Sequence, residues 1–269
     1  MTTVPATVSG SAAALRRLRV PAPEGFVEAV LDRLGLATGE WFVTVTGPTG
    51  ELFVAFNQHG ISAVAPTSLY DGDTGRFAAE HQERTGAPPV PAERPPAGLA
   101  AALESGRAGK LRFDLAASSE FERAVLLKAL EIPPGEVRPY GWVAREIGRP
   151  RAVRAVGSAL GRNPVPILIP CHRVVRTDGH VGNYGLGVPL KLALLGAEGV
   201  DVDRLERLAD EGVRFVGSAT THVFCVPSCR HARRISPAHE RRFRTEDAAV
   251  AGGFRPCAHC RPTEVRRAS

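Results

Sequence analysis

The stretch Asn163–Val175, NPVPILIPCHRVV, holds the one cysteine that stands apart from the other four in this chain. Its apolar run lies between prolines, which indicates a buried segment. Cys171 follows that run directly, and His172 is its neighbour. A lone buried cysteine is usually an inert core residue; it becomes a nucleophile only when a base lies within hydrogen-bond reach and a third group orients that base. The residues of this stretch leave both interpretations open.

Short helices are predicted on the N-terminal side of this stretch. Ser118 or Ser119 is the predicted N-cap of an amphipathic helix with the sequence SSEFERAVLLKAL. Two further helices, Tyr140–Ile147 and Arg151–Gly161, are joined by a tight turn, which favours a helix-turn-helix unit. The second of these carries small residues that either let its backbone approach another surface or pack against neighbouring helices: Ala155, Gly157, Ser158 and Ala159.

The first 115 residues are predicted to form a small α+β unit without a catalytic motif. Two runs rich in valine, phenylalanine and threonine flank a strong turn signal and predict a hairpin. The expected elements are an arm over 1–24, a helix over Gly25–Leu36, a hairpin over 41–56 with its turn at Gly47–Gly50, a strand over Ile61–Val64, a proline-rich loop over Ala87–Gly98 and a strand over Leu111–Leu115.

The other four cysteines form two close pairs near the end of the chain. Cys225 and Cys229 are a C-x3-C pair, and Cys257 and Cys260 are a C-x2-C pair. An odd total in a cytosolic chain argues against disulfides, and the two pairs fit a tetrahedral site for one Zn²⁺. A segment this short, with few large apolar side chains, needs the metal to fold. Four thiolates already fill a tetrahedral site, but four histidines are alternative zinc ligands: His222, His231, His239 and His259.

Composition and charge exclude several classes of protein and indicate possible partners. Hydrophobic residues make up 43% and charged residues 23%, which excludes a disordered, collagen-like or coiled-coil chain. There is no apolar run of the roughly 18 residues that a membrane helix needs and no signal peptide, so we expect a cytoplasmic protein with no membrane partner. From Val213 onward the chain carries eleven arginines and four acidic residues, a net charge of +7. Such a tail is typical of nucleic-acid binding or of a solvated segment.

The motif Pro170–Val174, PCHRV, resembles the acceptor signature of the O6-alkylguanine-DNA alkyltransferases. The resemblance covers roughly residues 40–200 and is strongest over 118–199. Members of that family transfer one alkyl group irreversibly from O6 of guanine in double-stranded DNA to their own cysteine. Further motifs fall in family order and spacing: Pro134–Val137, Tyr140, Arg154–Gly157, Asn163–Pro164, Gly182–Tyr184, Leu194–Leu195 and Glu198–Gly199.

The resemblance implies a role for each matching residue. Cys171 would be the alkyl acceptor, His172 the base acting through a bound water, and Glu198 the group that orients His172. Asn163 would brace the turn that carries the cysteine. Tyr140 would lie by the target phosphate and help to donate a proton to the leaving guanine.

The resemblance also implies how DNA is held. Because O6 of guanine is engaged in base pairing, the target nucleotide must be flipped out of the duplex. Tyr184 would line the guanine pocket, and Arg154 would occupy the gap left by the extruded base. Ala155 and Gly157 would let the recognition helix enter the minor groove. Gly185 stands where many members have a serine after the tyrosine, which is expected to alter the pocket loop and its tolerance for larger alkyl groups.

The basic tail resembles a second family, the zinc-binding methyl-phosphotriester acceptor domain of Ada-type proteins. The resemblance implies that Cys225 is both a zinc ligand and the acceptor of a methyl group from a methylated DNA phosphate. It also implies Thr221 and Arg233 as DNA-binding residues, although the loop at Arg233 carries an extra residue. Zn²⁺ with four thiolates carries a charge of about −2, so methylation should raise the affinity for DNA. The matching segments are Arg214–Phe215, Thr220–Thr221, Phe224–Arg230, Ala251–Cys257 and Cys260–Pro262.

We therefore expect an α+β monomer that repairs double-stranded DNA, with one Zn²⁺ and no dinucleotide cofactor. The rival interpretation is that the zinc domain is only a DNA clamp, a damage sensor or a regulator; no extra promoter-reading module fits in the remaining sequence. The predicted domains are a flexible arm (1–24), a ribonuclease-H-like supporting unit (25–115), a winged-helix-like alkyltransferase domain with the helix-turn-helix (116–200), a short helical linker (201–212) and a zinc-stabilised α/β module (213–263).

Overall fold

A computed structural model describes residues 39–262, which belong to a single unit and begin with a four-stranded sheet. The strand order is β3-β2-β1-β4, with β4 parallel to β1 and the other neighbours antiparallel. The predicted hairpin and third strand are confirmed, whereas the expected arm and first helix lie outside the described residues. The elements are β1 Trp41–Gly47, β2 Gly50–Asn57, β3 Gly60–Pro66, α1 Thr74–Thr85, β4 Val90–Pro91 and α2 Leu99–Ser105.

Two expectations for this unit are corrected. The proline-rich segment is not loop throughout, because Val90–Pro91 pairs with the start of β1 as a short parallel strand. The predicted strand over Leu111–Leu115 is wrong, since only an isolated bridge joins Phe113 to Ile61. The Asp114 side chain accepts hydrogen bonds from the Asn57 side chain, at the end of β2, and from the Ala116 backbone.

The middle of the chain is mainly helical. Its first helix is capped as predicted, at Ser119, where the Ser119 side chain accepts from the Glu122 backbone and the Glu122 carboxylate accepts in return. The helix pair α4–α5 confirms the expected two short helices joined by a turn. The elements are α3 Glu120–Ala129, β5 Arg138–Pro139, α4 Tyr140–Glu146, α5 Val153–Gly161, a 3₁₀ turn Cys171–Arg173, β6 Val174–Val175 and α6 Val188–Ala197.

A third group of elements surrounds the paired cysteines. A second four-stranded sheet has the order β10-β8-β7-β9, with β10 parallel to β8. The segment expected to link the two parts forms the helix α7, as predicted. The elements are α7 Val202–Asp210, β7 Phe215–Ser218, β8 Val223–Cys225, two 3₁₀ turns Ala232–Arg234 and Pro237–His239, β9 Glu240–Phe243, α8 Glu246–Ala251 and β10 Arg255–Pro256.

One hydrophobic core joins the first sheet to the helices and includes Cys171. Val54 of β2, Val125 of α3 and Val156 of α5 are fully buried in it. α7 spans two clusters, because Leu205 packs with residues that include Val175 and Leu195, and Leu208 packs among the four cysteines. The predicted linker is thus a packed helix between two cores. No helix within residues 39–262 is both long enough and apolar enough to cross a membrane.

The capping box at Ser119 supports a testable expectation for stability. Ser119→Ala removes the acceptor for the Glu122 amide and should lower the free energy of unfolding by about 1 kcal/mol. Ser118→Ala is the matched control, and as a substitution away from such a feature it should stay within roughly 0.5 kcal/mol. Urea denaturation measures both, and equal midpoints for the two variants would contradict the assignment of the cap.

Candidate active site and metal centre

Two tight turns shape the backbone before Cys171. The Leu168 amide donates to the Pro166 carbonyl at 2.9 Å around Ile167, whose φ is +73°. This is a strained γ-turn, and a β-branched residue rarely adopts such a φ. The Cys171 amide then donates to the Ile169 carbonyl at 2.8 Å around Pro170, which forms an inverse γ-turn. The two turns place the cysteine at the start of a 3₁₀ turn, with its side chain inside the protein.

Asn163 holds these turns and touches the sulfur. Its Nδ2 donates to the Ile169 carbonyl at 2.9 Å and to Cys171 Sγ at 3.1 Å. Its Oδ1 accepts from the Val165 amide at 3.0 Å, so the whole side-chain amide is engaged. The Tyr184 hydroxyl lies 3.9 Å from Cys171 Sγ on another side. The structure therefore brings together the sulfur, Asn163 and Tyr184 as the sequence predicted.

His172 is fully buried and bonded on one side only. Its Nε2 lies 2.9 Å from Glu198 Oε1. Because a carboxylate only accepts hydrogen bonds, Nε2 carries the proton and Nδ1 holds a lone pair. Among the described residues Nδ1 finds no hydrogen-bond partner, although it is buried. A buried lone pair of this kind can accept a proton, directly or through water.

Arg173 is a site residue that the sequence did not predict, although it belongs to the motif PCHRV. Its guanidinium is buried and donates to Glu198 from Nη2 at 2.7 Å and from Nε at 3.0 Å. It also donates to the carbonyls of Ile132 at 2.7 Å and Gly106 at 2.5 Å. Arg173 thus balances the charge of Glu198 and ties the acceptor turn to two distant segments.

Lys191 is a second buried cation near the site that the sequence gave no reason to select. Its ammonium, on α6, donates to the carbonyls of Val174 and Val181 at 2.7 Å and of Asn183 at 3.3 Å. These carbonyls lie just after the acceptor turn and just before Tyr184. Burial lowers the pKa of Lys191 to about 8, although the Cys171 thiolate would act against that shift. The only sequence signal is a lysine within an otherwise apolar helix.

The burial of these groups sets their protonation. Burial raises the pKa of the Cys171 thiol, and the hydrogen bond from Asn163 opposes this only in part. Burial lowers the pKa of His172, although Glu198 acts in the other direction. Burial disfavours the ionised form of Glu198, but hydrogen bonds from His172 and Arg173 outweigh it and lower the pKa of the carboxyl to about 2. At neutral pH the site therefore holds a thiol, a neutral imidazole and a carboxylate.

The other predicted DNA residues lie on the helix pair α4–α5 and differ in their exposure. Arg154 and Ala155 are exposed on α5, whereas Val156 of the same helix is buried. Tyr140 begins α4, and a Cβ added at Gly157 of α5 would lie 3.9 Å from its ring, which is an ordinary van der Waals contact. Burial raises the pKa of Tyr140, and Cys171 adds to this shift, which keeps the phenol protonated.

Gly185 has a steric reason to lack a side chain. A Cβ at this position would lie 3.2 Å from the Gly161 carbonyl oxygen at the end of α5. A serine here would require that turn of helix to move by a few tenths of an ångström. The loop that carries Tyr184 therefore lies closer to the recognition helix than a serine would allow.

The four predicted zinc ligands converge. The Sγ atoms of the two cysteine pairs all lie within 4.8 Å of one another, and all four side chains are buried. Thiolates at such separations suit a tetrahedral zinc ion. Cys225 ends β8 and Cys257 follows β10, so a parallel strand pair supplies the first ligand of each pair. The residues fit one Zn²⁺ ligated by Cys225, Cys229, Cys257 and Cys260.

The two remaining predicted residues, Thr221 and Arg233, are both exposed. Thr221 is exposed in the turn between β7 and β8, where its amide donates to Ser218 Oγ at 3.3 Å. The Arg233 guanidinium lies beside Gly135, which precedes β5, and is 3.4 Å from where a Cβ on that glycine would be. Several exposed arginines have no carboxylate within 4.0 Å among residues 39–262: Arg234, Arg241, Arg244 and Arg255.

The geometry defines a protein with a buried cysteine–histidine–glutamate site and a four-cysteine zinc site. Residues 120–200 match the family described as 6-O-methylguanine DNA methyltransferase, DNA binding domain, and residues 206–263 match the metal binding domain of Ada. The chain therefore carries a DNA-binding domain of the 6-O-methylguanine DNA methyltransferase family, followed by an Ada-type metal-binding domain. Both resemblances expected from the motifs are confirmed.

Individual relatives show how far the likeness extends. Methylated-DNA–protein-cysteine methyltransferases from Methanosarcina acetivorans and Rattus norvegicus are 45% and 47% identical over 101 and 100 residues, each match covering 36% of this chain. The chain spans 65% and 46% of the length of these relatives. A crystal structure of Mycobacterium tuberculosis O6-methylguanine methyltransferase is 32% identical with a TM-score of 0.48, and the match covers 59% of this chain and 92% of that one.

The low pKa of Glu198 predicts a pH dependence of stability. Its folded pKa of about 2 lies below the ordinary value of 4.5, so its contribution is present above pH 4.5 and is lost as the pH falls towards 2. Glu198→Gln should remove this part of the acid sensitivity. At pH 7 it should also lower the free energy of unfolding by about 3–5 kcal/mol, because Arg173 is left buried without its partner.

Urea denaturation between pH 7 and pH 3 measures both effects. Glu104→Gln is a matched control because Glu104 is exposed on α2. It should stay within roughly 0.5 kcal/mol of the original protein at pH 7. Equal stability of the two variants at pH 7 would contradict the role given to the Glu198–Arg173 pair.

Proposed function

We propose that this chain is a DNA repair protein that transfers an alkyl group irreversibly from O6 of guanine to Cys171. The observation that carries the proposal is the arrangement of three neighbouring groups. Asn163 donates to the sulfur, Glu198 accepts a hydrogen bond from Nε2 of His172, and Nδ1 of that histidine is buried with a lone pair and no partner among the described residues. This is the order of nucleophile, base and orienting acid that activation of a thiol requires.

The base is needed because the thiol does not ionise readily by itself. Burial raises the pKa of Cys171, so a proton must leave as the sulfur attacks. His172 is neutral at pH 7 because burial lowers its pKa, and Nδ1 accepts that proton through a bridging water. The resulting imidazolium is stabilised by the Glu198 carboxylate, whose own charge is balanced by Arg173.

The bonds of the transfer balance without a cofactor. The Cys171 sulfur forms a bond to the alkyl carbon, and the bond between that carbon and O6 of guanine breaks. The electron pair of the broken bond stays on the guanine, which takes up a proton with help from Tyr140. The products are an S-alkyl cysteine and an intact guanine. The thioether has no route back to a thiol in this site, so each chain acts once.

The position of Cys171 requires the target base to enter the protein. Its side chain is only 6% exposed, so a guanine stacked in a duplex cannot reach it. The exposed face of α5 offers Arg154 to fill the gap in the duplex and Ala155 for close approach to the minor groove. Tyr184, next to the sulfur, forms a wall of the pocket for the flipped base.

The N-terminal unit supports this site rather than supplying chemistry. Its strand order β3-β2-β1-β4, with the last strand parallel to β1, is consistent with a ribonuclease-H-like topology, and α4, α5 and the β5–β6 pair are consistent with a winged-helix-like domain. The Val64 amide donates to the Pro164 carbonyl at 3.0 Å, which joins β3 to the loop that Asn163 begins. The proposed boundary between this unit and the helical domain lies between residues 115 and 116.

We assign a second transfer to Cys225, which would accept a methyl group from a methylated DNA phosphate. The match to the Ada metal-binding domain and the gathering of four sulfurs support this assignment. Bound Zn²⁺ would keep the sulfurs deprotonated at neutral pH while leaving them nucleophilic. The exposed arginines without acidic partners supply an attraction for the DNA backbone, and Thr221 and Arg233 belong to this proposed surface. A reducing cytoplasm, where both thiol acceptors stay reduced, is the proposed location.

The two acceptors can be separated by mass. After incubation with heavily methylated duplex DNA, the zinc-loaded protein should gain two methyl groups, one on Cys171 and one on Cys225, as located by peptide mapping. Cys171→Ser should leave only the second, and Cys225→Ser with zinc retained should leave only the first. Methylation confined to Cys171 in the original protein would reduce the zinc domain to a DNA clamp, and a folded, DNA-binding protein without methyl on Cys171 would overturn the central proposal.

The role of Arg154 can be tested with two substrates. Arg154→Ala should slow repair of O6-methylguanine in duplex DNA by about tenfold or more, because the gap left by the flipped base is no longer filled. Reaction with a free O6-alkylguanine base, which needs no flipping, should be unchanged. Arg162→Ala, at the other end of the same helix, is the control and should affect neither rate. Equal slowing on both substrates would place Arg154 in the pocket and not in the duplex.

A further inference from the structure

The zinc site is bordered by residues of the alkyltransferase domain. Glu136 is 1% exposed, and its Oε1 accepts from the Arg230 amide at 3.1 Å and from His259 Nε2 at 3.0 Å. A carboxylate oxygen of Glu136, a ring nitrogen of His259 and Cys229 Sγ lie within 4.8 Å of one another. Arg230 follows the ligand Cys229, so the carboxylate holds backbone next to one zinc ligand and a side chain next to another.

Two further contacts reach the ligands from the same side. Trp142 Nε1, on α4, donates to the carbonyl of the ligand Cys260 at 3.0 Å. Ser228, the residue before Cys229, accepts from the Val137 amide at 2.9 Å and donates to the Val137 carbonyl at 3.0 Å. Both cysteine pairs are therefore contacted by the segment just before the helix-turn-helix and by its first helix, α4.

The negative charge of Glu136 is itself held in place. Arg138 Nη2 donates to its second oxygen at 2.6 Å, and the guanidinium lies 5.8 Å from the centre of the Trp142 ring. From the zinc module, Arg261 lies 5.6 Å from the same ring. Both distances are within the range of cation–π contact, so Trp142 is enclosed by one cation from each domain. The carboxylate has little freedom to move away from the cysteines.

We infer that Glu136 is a positioning residue for the zinc site, acting across the domain boundary through the Arg230 backbone and His259. Groups that hydrogen-bond around metal ligands orient them and tune their electron density. The Ada-type module has few large apolar side chains of its own. Residues of the alkyltransferase domain would thus supply some of the hydrogen bonds around its zinc ligands. The inference goes beyond the proposed transfer, because it holds whether Cys225 accepts a methyl group or serves only as a ligand.

Zinc retention in the full-length, unreacted protein tests this inference. In competition with a chromogenic chelator, Glu136→Gln should bind zinc roughly 10- to 100-fold more weakly than the original protein. The matched control is Glu131→Gln, because Glu131 faces Arg261 across the same boundary but is exposed. Equal zinc affinity of the Glu136 and Glu131 variants, with both folded, would overturn the inference.

A second variant covers the case in which Glu136→Gln does not fold, since it removes the partner of a buried arginine. His259→Phe deletes the donor to Glu136 and leaves the Glu136–Arg138 pair intact. It should weaken zinc binding in the same direction, whereas His239→Phe, an exposed histidine of the same module, should not. Zinc affinity of the His259 variant equal to that of the His239 variant would overturn the inference without any reference to Glu136→Gln.

A spectroscopic measurement separates positioning of the thiolates from general loosening. With Co²⁺ alone in place of zinc, the sulfur-to-cobalt absorption band of Glu136→Gln should move to shorter wavelength, because the sulfurs lose a neighbouring negative charge. Glu136→Asp, which keeps the charge, should restore the band towards its original position. A weaker but unshifted band in both variants would indicate a structural contact only and would contradict the inference. None of these measurements depends on methyl transfer.

Discussion

The ion pair between Glu198 and Arg173 is the interaction on which the acceptor site depends. Arg173 follows the cysteine by two residues, and Glu198 stands at the end of α6, so the pair closes the acceptor turn onto a distant helix. The guanidinium is 2% exposed and also binds the Gly106 and Ile132 carbonyls, which belong to two other segments. Desolvating such a pair costs free energy, and breaking it would leave a buried charge without a partner. The pair therefore favours one arrangement of the segments that it joins: the turn after Cys171, the end of α6 and the segments at Gly106 and Ile132. His172 takes its orientation from the same carboxylate.

The short segment 135–138 connects the two chemical centres. The Gly135 amide donates to Glu198 Oε2 at 3.3 Å, and a Cβ at this residue would lie 2.9 Å from the Glu198 carbonyl oxygen. The next residue, Glu136, faces the zinc site, and Arg138 begins a strand that pairs with Val174 beyond the acceptor turn. Few side-chain contacts therefore separate the Cys171 site from the zinc ligands. The two domains are in direct contact and are not separate units joined by a flexible linker.

Much of the local structure was predictable because short-range signals decide it. The hairpin at Gly47–Gly50, the cap at Ser119 and the helix pair around α4 and α5 follow from turn chemistry, capping and spacing of apolar residues. The strand expected over Leu111–Leu115 failed because this segment pairs with β3 only through the bridge between Phe113 and Ile61, and the extent of such long-range pairing leaves no periodic trace in the sequence. The γ-turn at Ile167 was equally hidden, because a β-branched residue gives no signal for a positive φ.

The sequence by itself determined the identity of the chemical groups: a cysteine beside a histidine, two cysteine pairs with metal-ligand spacing and a basic tail. These depend on residue type and spacing along the chain, which folding does not change. Only the tertiary structure decided which charges lie beside them. Arg173, Lys191 and Glu136 are buried through contacts with residues far away in the chain, and burial, which sets their hydrogen bonds and charge partners, depends on three-dimensional packing.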